Sequence, residues 1–83
     1  MEETRIAIIG IIVENMESAA EVNEILHDYN RFIIGRMGIP YRERAVSVIS
    51  IAVDAPCNDI NTMAGRLGKL DGVSAKAVYS KLP

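Results

Sequence analysis

The side chains able to do chemistry are few. His27 is the single histidine of the 83-residue sequence and Cys57 its single cysteine. An imidazole and a thiolate can both hold a transition metal, and Cys57 follows Pro56 just ahead of a helix start, a setting that activates thiols. Used together across subunits, the two would make a metal-sensing site. The ordinary reading is a helix-end histidine beside Asp28 and a half-buried thiol. A Cys/His nucleophilic pair needs a third group to orient its base. No such group is identifiable, so the sequence assigns no catalytic residue, no cofactor and no enzymatic activity. Arg31, Arg36, Arg42 and Arg44 fall close together. Guanidinium forks match carboxylates and phosphates, so this group can cradle an anionic effector or an acidic partner, or pair with Glu24 and Glu43.

These residues must be positioned by a small set of elements. Arg5–Val13 is apolar at both parities, with Ile6, Ile8 and Ile12 on one side and Ala7, Ile9, Ile11 and Val13 on the other. A strand sends alternate side chains to opposite faces, so this pattern predicts a central strand covered on both. Asn15 is a helix cap by type, with Glu17 in the first turn. Met16–Tyr29 then carries Ala19, Val22, Ile25, Leu26 and Tyr29 on one helical face, opposite Glu17, Glu21, Glu24 and Asp28.

Phe32–Ile39 reads as a second strand, ended by Pro40, and Tyr41–Arg44 as a polar hairpin connection. Ala45–Val53 is a second strand without alternation, where Ser47, Ser50 and Ala52 suit the close approach of another layer. Asp54–Asn58 reads as a turn, with Asn58 or Asp59 capping a helix to about Leu70. That helix buries Ile60, Met63, Ala64, Leu67 and Leu70, with Gly65 and Gly68 as close-packing positions. Gly72 follows as a C′ residue. Val73–Tyr79 is a more polar edge strand, with Lys76 and Lys81 as edge guards.

The order is β-α-β-β-α-β. Right-handed crossovers interleave the two halves as a ferredoxin-like split βαβ, an α+β fold. The antiparallel sheet order is 4-1-3-2, with two helices on one face. One such domain takes up residues 1–83. The non-alternating strands fall in the middle, and so apolar an outer face rarely stays exposed. Ile6, Ile8, Ile9, Ile11, Val46 and Val48 are the candidates for an oligomer face, through which the chain would partner itself as a dimer or tetramer.

Composition points the same way. The hydrophobic fraction is 49%, high for so short a chain, and Trp is absent, so aliphatic side chains must fill both a core and an interface. With one cysteine no internal disulfide can form, which favours a reducing, cytoplasmic setting. A net charge of −2 with both signs interspersed is not the footprint of a nucleic-acid binder. The acidic start, Met1-Glu2-Glu3, lacks the positive charge of a signal peptide, and the longest apolar run is far short of the ~20 residues that span a bilayer.

The segment Ile60–Val78, above all Leu67-Gly-Lys-Leu-Asp-Gly-Val73, resembles the second helix and last strand of ACT-like regulatory domains. With Val22–His27 and Arg36–Glu43 included, nearly the whole chain resembles a family of small stand-alone proteins named as regulators of the iron-only hydrogenase system. Their fold is similar to the C-terminal domain of nickel-responsive repressors. The resemblance implies a non-enzymatic regulatory module, an ACT-like dimer or tetramer that binds a small effector or a protein partner. ACT-like domains tend to place effectors at the turn held here by Glu14, Asn15 and Met16 and near Gly35 and Gly38, which Arg36 separates from one another. The strand positions that would carry nickel ligands hold no histidine, and the first strand is expected almost at once. Neither nickel binding nor operator binding is therefore carried over. The turn Val13–Met16 has no glycine for close approach to an amino acid.

Overall fold

The computed structural model describes residues 3–81, and the sequence expectations for Met1 and Glu2 lie outside them. Among the described residues the elements run β1 (Arg5–Val13), α1 (Ala19–Asp28), β2 (Ile33–Tyr41), β3 (Val46–Ala55), α2 (Cys57–Gly68) and β4 (Val73–Tyr79). The sheet has the order β2-β3-β1-β4, antiparallel throughout, which is the predicted topology. β1 lies between β3 and β4, and β3 between β1 and β2. The two strands without alternation are thus the two central ones.

Both parities of β1 are apolar, but the helices cover one. Ala7, Ile9, Ile11 and Val13 are buried with Ile51, Val53 and Ala55 of β3, beneath Val22, Ile25 and Leu26 of α1 and Ile60, Met63 and Leu67 of α2. Each fully buried Ile, Leu or Met contributes about 1.5–3 kcal/mol by leaving water. The other parity is open: Ile8 is 50% exposed while its neighbour Ile9 is fully buried. Ile9 and Ile11 therefore belong to the core and not to an oligomer face. Ile6, Ile8, Val46 and Val48 remain on the open side, where Ile8 pairs with Ala52 and Val48 with Ile12.

The ends of several elements differ from the sequence expectation. β2 runs through Pro40 to Tyr41, because an edge strand has unpaired donors and a proline there removes nothing the sheet needs. Ala45 is not the first residue of β3. It takes a left-handed conformation, φ 53°, closing the short 3-10 turn Arg42–Arg44 of the hairpin. α2 begins at Cys57 directly after Pro56, and neither Asn58 nor Asp59 caps it. α1 is preceded by one turn of 3-10 helix, Met16–Ser18, capped by Asn15 as expected, its side chain accepting from the Glu17 N–H at 3.0 Å.

Two further ties fix the helices. Arg66 donates to Asp28 at 3.2 Å and lies over the Tyr29 ring, joining the end of α1 to α2. Hydrogen bonds to Tyr29 and then Asp28 raise the Arg66 pKa further above its already high value. The Tyr79 hydroxyl donates to Asn61, holding β4 to α2.

The glycines separate into different roles. Gly65 and Gly68 are exposed, and a Cβ at either would meet nothing within 4 Å, so neither is a packing position. Gly72 lies in the turn before β4 with φ +69°, and a Cβ there would come within 2.6 Å of Asn15 Cβ. Chemical denaturation should find Gly65→Ala more stable by about 1 kcal/mol, the propensity difference in an open helix. Gly72→Ala should be less stable by about 1–3 kcal/mol, the strain of a left-handed residue with a clash added.

Candidate functional site

The site is built where α1 crosses the outer part of the sheet. Two turns are tied together at its base. The Glu14 N–H donates to the Gly72 carbonyl at 2.6 Å, Asn15 Nδ2 donates to Asp71 Oδ2 at 2.8 Å, and the buried Ser18 hydroxyl donates to the Asp71 carbonyl at 2.7 Å. These bonds anchor the start of α1 toward β4, on the far side of the sheet from β2. β2 is left with little helical cover: of its nine residues one, Ile33, is partly buried and the rest are exposed.

A bulge then decides which way the side chains of β2 point. Ile33 pairs with Val53 and Gly35 with Ala52, so Ile34 is an extra residue. One added residue switches every later side chain to the opposite face. After it, Arg36, Gly38 and Pro40 pair with Ile51, Ile49 and Ser47 on the helical side, whereas Met37, Ile39 and Tyr41 pair with Ser50, Val48 and Val46 on the open side. Ile34 itself is turned out to solvent.

The result is a cleft of about 340 Å³ between α1 and β2. Val13, Ala19, Val22 and Ile49 form its apolar wall, and Asn23, Arg36 and Ser47 supply polar groups. Arg36 Nη2 donates to Asn23 Oδ1 at 2.8 Å. A second cleft of about 360 Å³ continues along the same seam, shares Asn23 and Arg36, and adds His27 and Asn30. On the open face, a shallow depression of about 440 Å³ centres on Gly10 and Ser50 and is flanked by Ile12, Val48 and Lys76.

Of the residues expected at an effector site, Met16, Arg36 and Gly38 meet in the first cleft and Gly35 lines the second. Glu14 and Asn15 lie at the tie to the Asp71–Gly72 turn, outside both. Asn23 and Ser47 were not among the sequence candidates. Asn23 could have been found, since it stands four residues after Ala19 at the border of the apolar stripe. The bulge that aims Arg36 had no such signal.

His27 and Cys57 do not meet within one chain. Cys57 is exposed at the start of α2, nine residues before the Arg66 that bonds Asp28, roughly 13 Å along the helix. Among the described residues no group of three or more His, Cys, Asp or Glu side chains is placed to hold a metal ion, and no helix is long and apolar enough to cross a membrane. Nor do the clustered arginines pair with Glu24 or Glu43. Among the described residues the ion pair is Arg66–Asp28, while Arg31 lies over the Phe32 ring at 4.5 Å.

Comparison with known proteins adds three findings. Residues 5–77 match the model of the TM1266-like family, described as "Iron-only hydrogenase system regulator, putative". The solved structure of uncharacterized protein TM1266 from Thermotoga maritima superposes with a TM-score of 0.91 at 32% identity, covering 95% of this chain and 100% of that one. A formyltetrahydrofolate deformylase from Pseudomonas putida KT2440 gives a TM-score of 0.65 at 13% identity, over 88% of this chain and 28% of the enzyme's, a likeness of fold alone. No curated protein matches.

Tie and cleft make separable demands on the sequence. Ser18→Ala should lower the unfolding free energy by about 1 kcal/mol, because the part-buried hydrogen bond to the Asp71 carbonyl is lost. Gly38→Ile should leave it unchanged or higher. Its Cβ would meet nothing closer than Ile49 Cγ1 at 4.0 Å, and β-branched residues favour strands. Urea melts of both variants check this.

Proposed function

The chain belongs to the TM1266-like family of iron-only hydrogenase system regulators, and on that footing we propose that it is a non-enzymatic, cytoplasmic regulatory module of ACT-like fold that works as a homo-oligomer. A copy of the chain covers the open face of the sheet, and a small effector occupies the cleft between α1 and β2. The observation that carries the reading is the open face itself. Ile8, Ile12, Met37, Ile39, Val48 and Val78, drawn from all four strands, are each between 41% and 69% exposed. Monomeric soluble proteins rarely present so continuous an apolar surface.

The relief of that face suits a second copy. Gly10, with open space above it, lies between Ile8 and Ile12 and opposite Ser50, so the projecting isoleucines of one protomer have a depression to enter on the other. Such self-complementarity is what a two-fold interface requires. The reading as a metal sensor gains no such support, since among the described residues neither His27 nor Cys57 belongs to a group of three or more His, Cys, Asp or Glu side chains placed to hold a metal ion.

Sedimentation velocity tests the assembly. The wild type should run at a multiple of the 9.1 kDa chain mass. Ile8→Glu should run as a folded monomer with native circular dichroism, and Ile9→Glu, which puts a carboxylate in the core, should be unfolded. A wild type at monomer mass, unchanged by Ile8→Glu, would refute the homo-oligomer.

A further inference from the structure

We infer that the ligand of the α1–β2 cleft is a small apolar monocarboxylate, with Arg36 as its anion receptor. This rests on the effector reading above and goes on to name the chemistry of the ligand. The polar groups of the cleft decide it. An arginine side chain can only donate hydrogen bonds. The oxygen of the Asn23 amide must therefore be the atom that faces Arg36, which turns the Asn23 nitrogen, with its two N–H groups, away from the bond. The guanidinium carries five N–H groups and Asn23 takes one of them. The wall shared by the two clefts thus has an excess of donors and carries a positive charge with no carboxylate in salt-bridge range among the described residues.

A group that satisfies such a wall accepts hydrogen bonds and is negatively charged. A carboxylate fits the fork of one arginine in two parallel bonds. A phosphate dianion would need more positive charge than one guanidinium supplies, and the nearby 3-10 turn already has its Glu17 N–H capped by Asn15.

The rest of the ligand is set by the remaining walls. Val13, Ala19, Val22 and Ile49 offer an apolar lining, and about 340 Å³ is at the low end of small-molecule sites, so the body is short and hydrocarbon-like. An amino acid fits poorly. Its ammonium group brings a second charge that only a carboxylate would balance, and no acidic residue lines either cleft of the seam. The cleft therefore discriminates between a carboxylic acid and the α-amino acid with the same side chain.

Calorimetric titration of the intact chain in its native assembly, with 4-methylpentanoate, 4-methylpentanamide, L-leucine and inorganic phosphate as probes, tests this. 4-Methylpentanoate should bind, the amide and leucine about tenfold more weakly, and phosphate not at all. Arg36→Gln should bring the carboxylate down to the affinity of the amide without moving the melting temperature, and Gly38→Ile, which fills the cleft, should abolish binding of both. An amide that binds as tightly as the acid, or no binding of the acid at millimolar concentration, overturns the inference. Leucine or phosphate binding more tightly than the acid and lost in Gly38→Ile would overturn the ligand class and leave the cleft as an effector site. Binding of every probe unaffected by Gly38→Ile would overturn both.

Discussion

One imbalance governs this molecule: β1 has two apolar faces and the chain has helices for only one. Packing α1 and α2 over Ala7, Ile9, Ile11 and Val13 uses both helices. Nothing in the described residues remains to cover Ile6, Ile8 and Ile12. In a domain this small the core is barely sufficient by itself. A polar open face would make the monomer easier to solvate without weakening its core. The exposed isoleucines there add nothing to that core, and this is the ground on which the homo-oligomer is proposed.

The second feature, the cleft, follows from where α1 is fastened. Asn15 and Ser18 bind the Asp71–Gly72 turn, and Gly72 must be glycine for the two turns to touch. That contact fixes the start of α1 near the β4 side of the sheet, so β2 is left as an uncovered edge with a seam beside it. An exposed edge of nine residues invites aggregation. β2 carries a bulge at Ile34, a proline at position 40 and an arginine between them, all features that blunt an edge. The same bulge sends Arg36 toward α1 and Met37 toward the open face, so protection of the edge and construction of the cleft are one event.

Much of this was legible in the sequence because it depends on periodicity. The double-sided strands, the Val22–Ile25–Leu26 stripe and the Asn15 cap are local patterns, and right-handed crossovers convert them to a topology. What escaped depends on contacts between distant parts. Asn15 looked like a cap and is one, but its bond to Asp71 Oδ2 joins residues 56 apart and has no sequence signature. Ile9 and Ile11 could not be told from Ile8 and Ile12 by type, since all four are isoleucine and only the position of the helices separates them. Gly65 and Gly68 looked like packing positions because a helical glycine normally needs a reason; the open space around them supplies none. Ser47, grouped with Ser50 and Ala52 as a shallow face, has the opposite parity and lines the cleft instead.

β2 is where the two proposed roles meet. Its alternate residues look into the cleft and out of the open face, and its helical side is almost bare, so its position rests mainly on the ladder to β3. A ligand bridging α1 and Arg36 would add a second support on one side, and a copy of the chain packed on Met37, Ile39 and Tyr41 would add a third on the other. Both ordering events would restrict the same strand. Whichever came first would remove conformational freedom that the second would otherwise have to remove, which would be positive coupling without any need for a large movement. Linkage makes the coupling reciprocal: an effector that tightens assembly must itself be bound more tightly by the assembled protein. On the proposed reading, a strand shared by two surfaces would be the means by which one binding event is felt at the other.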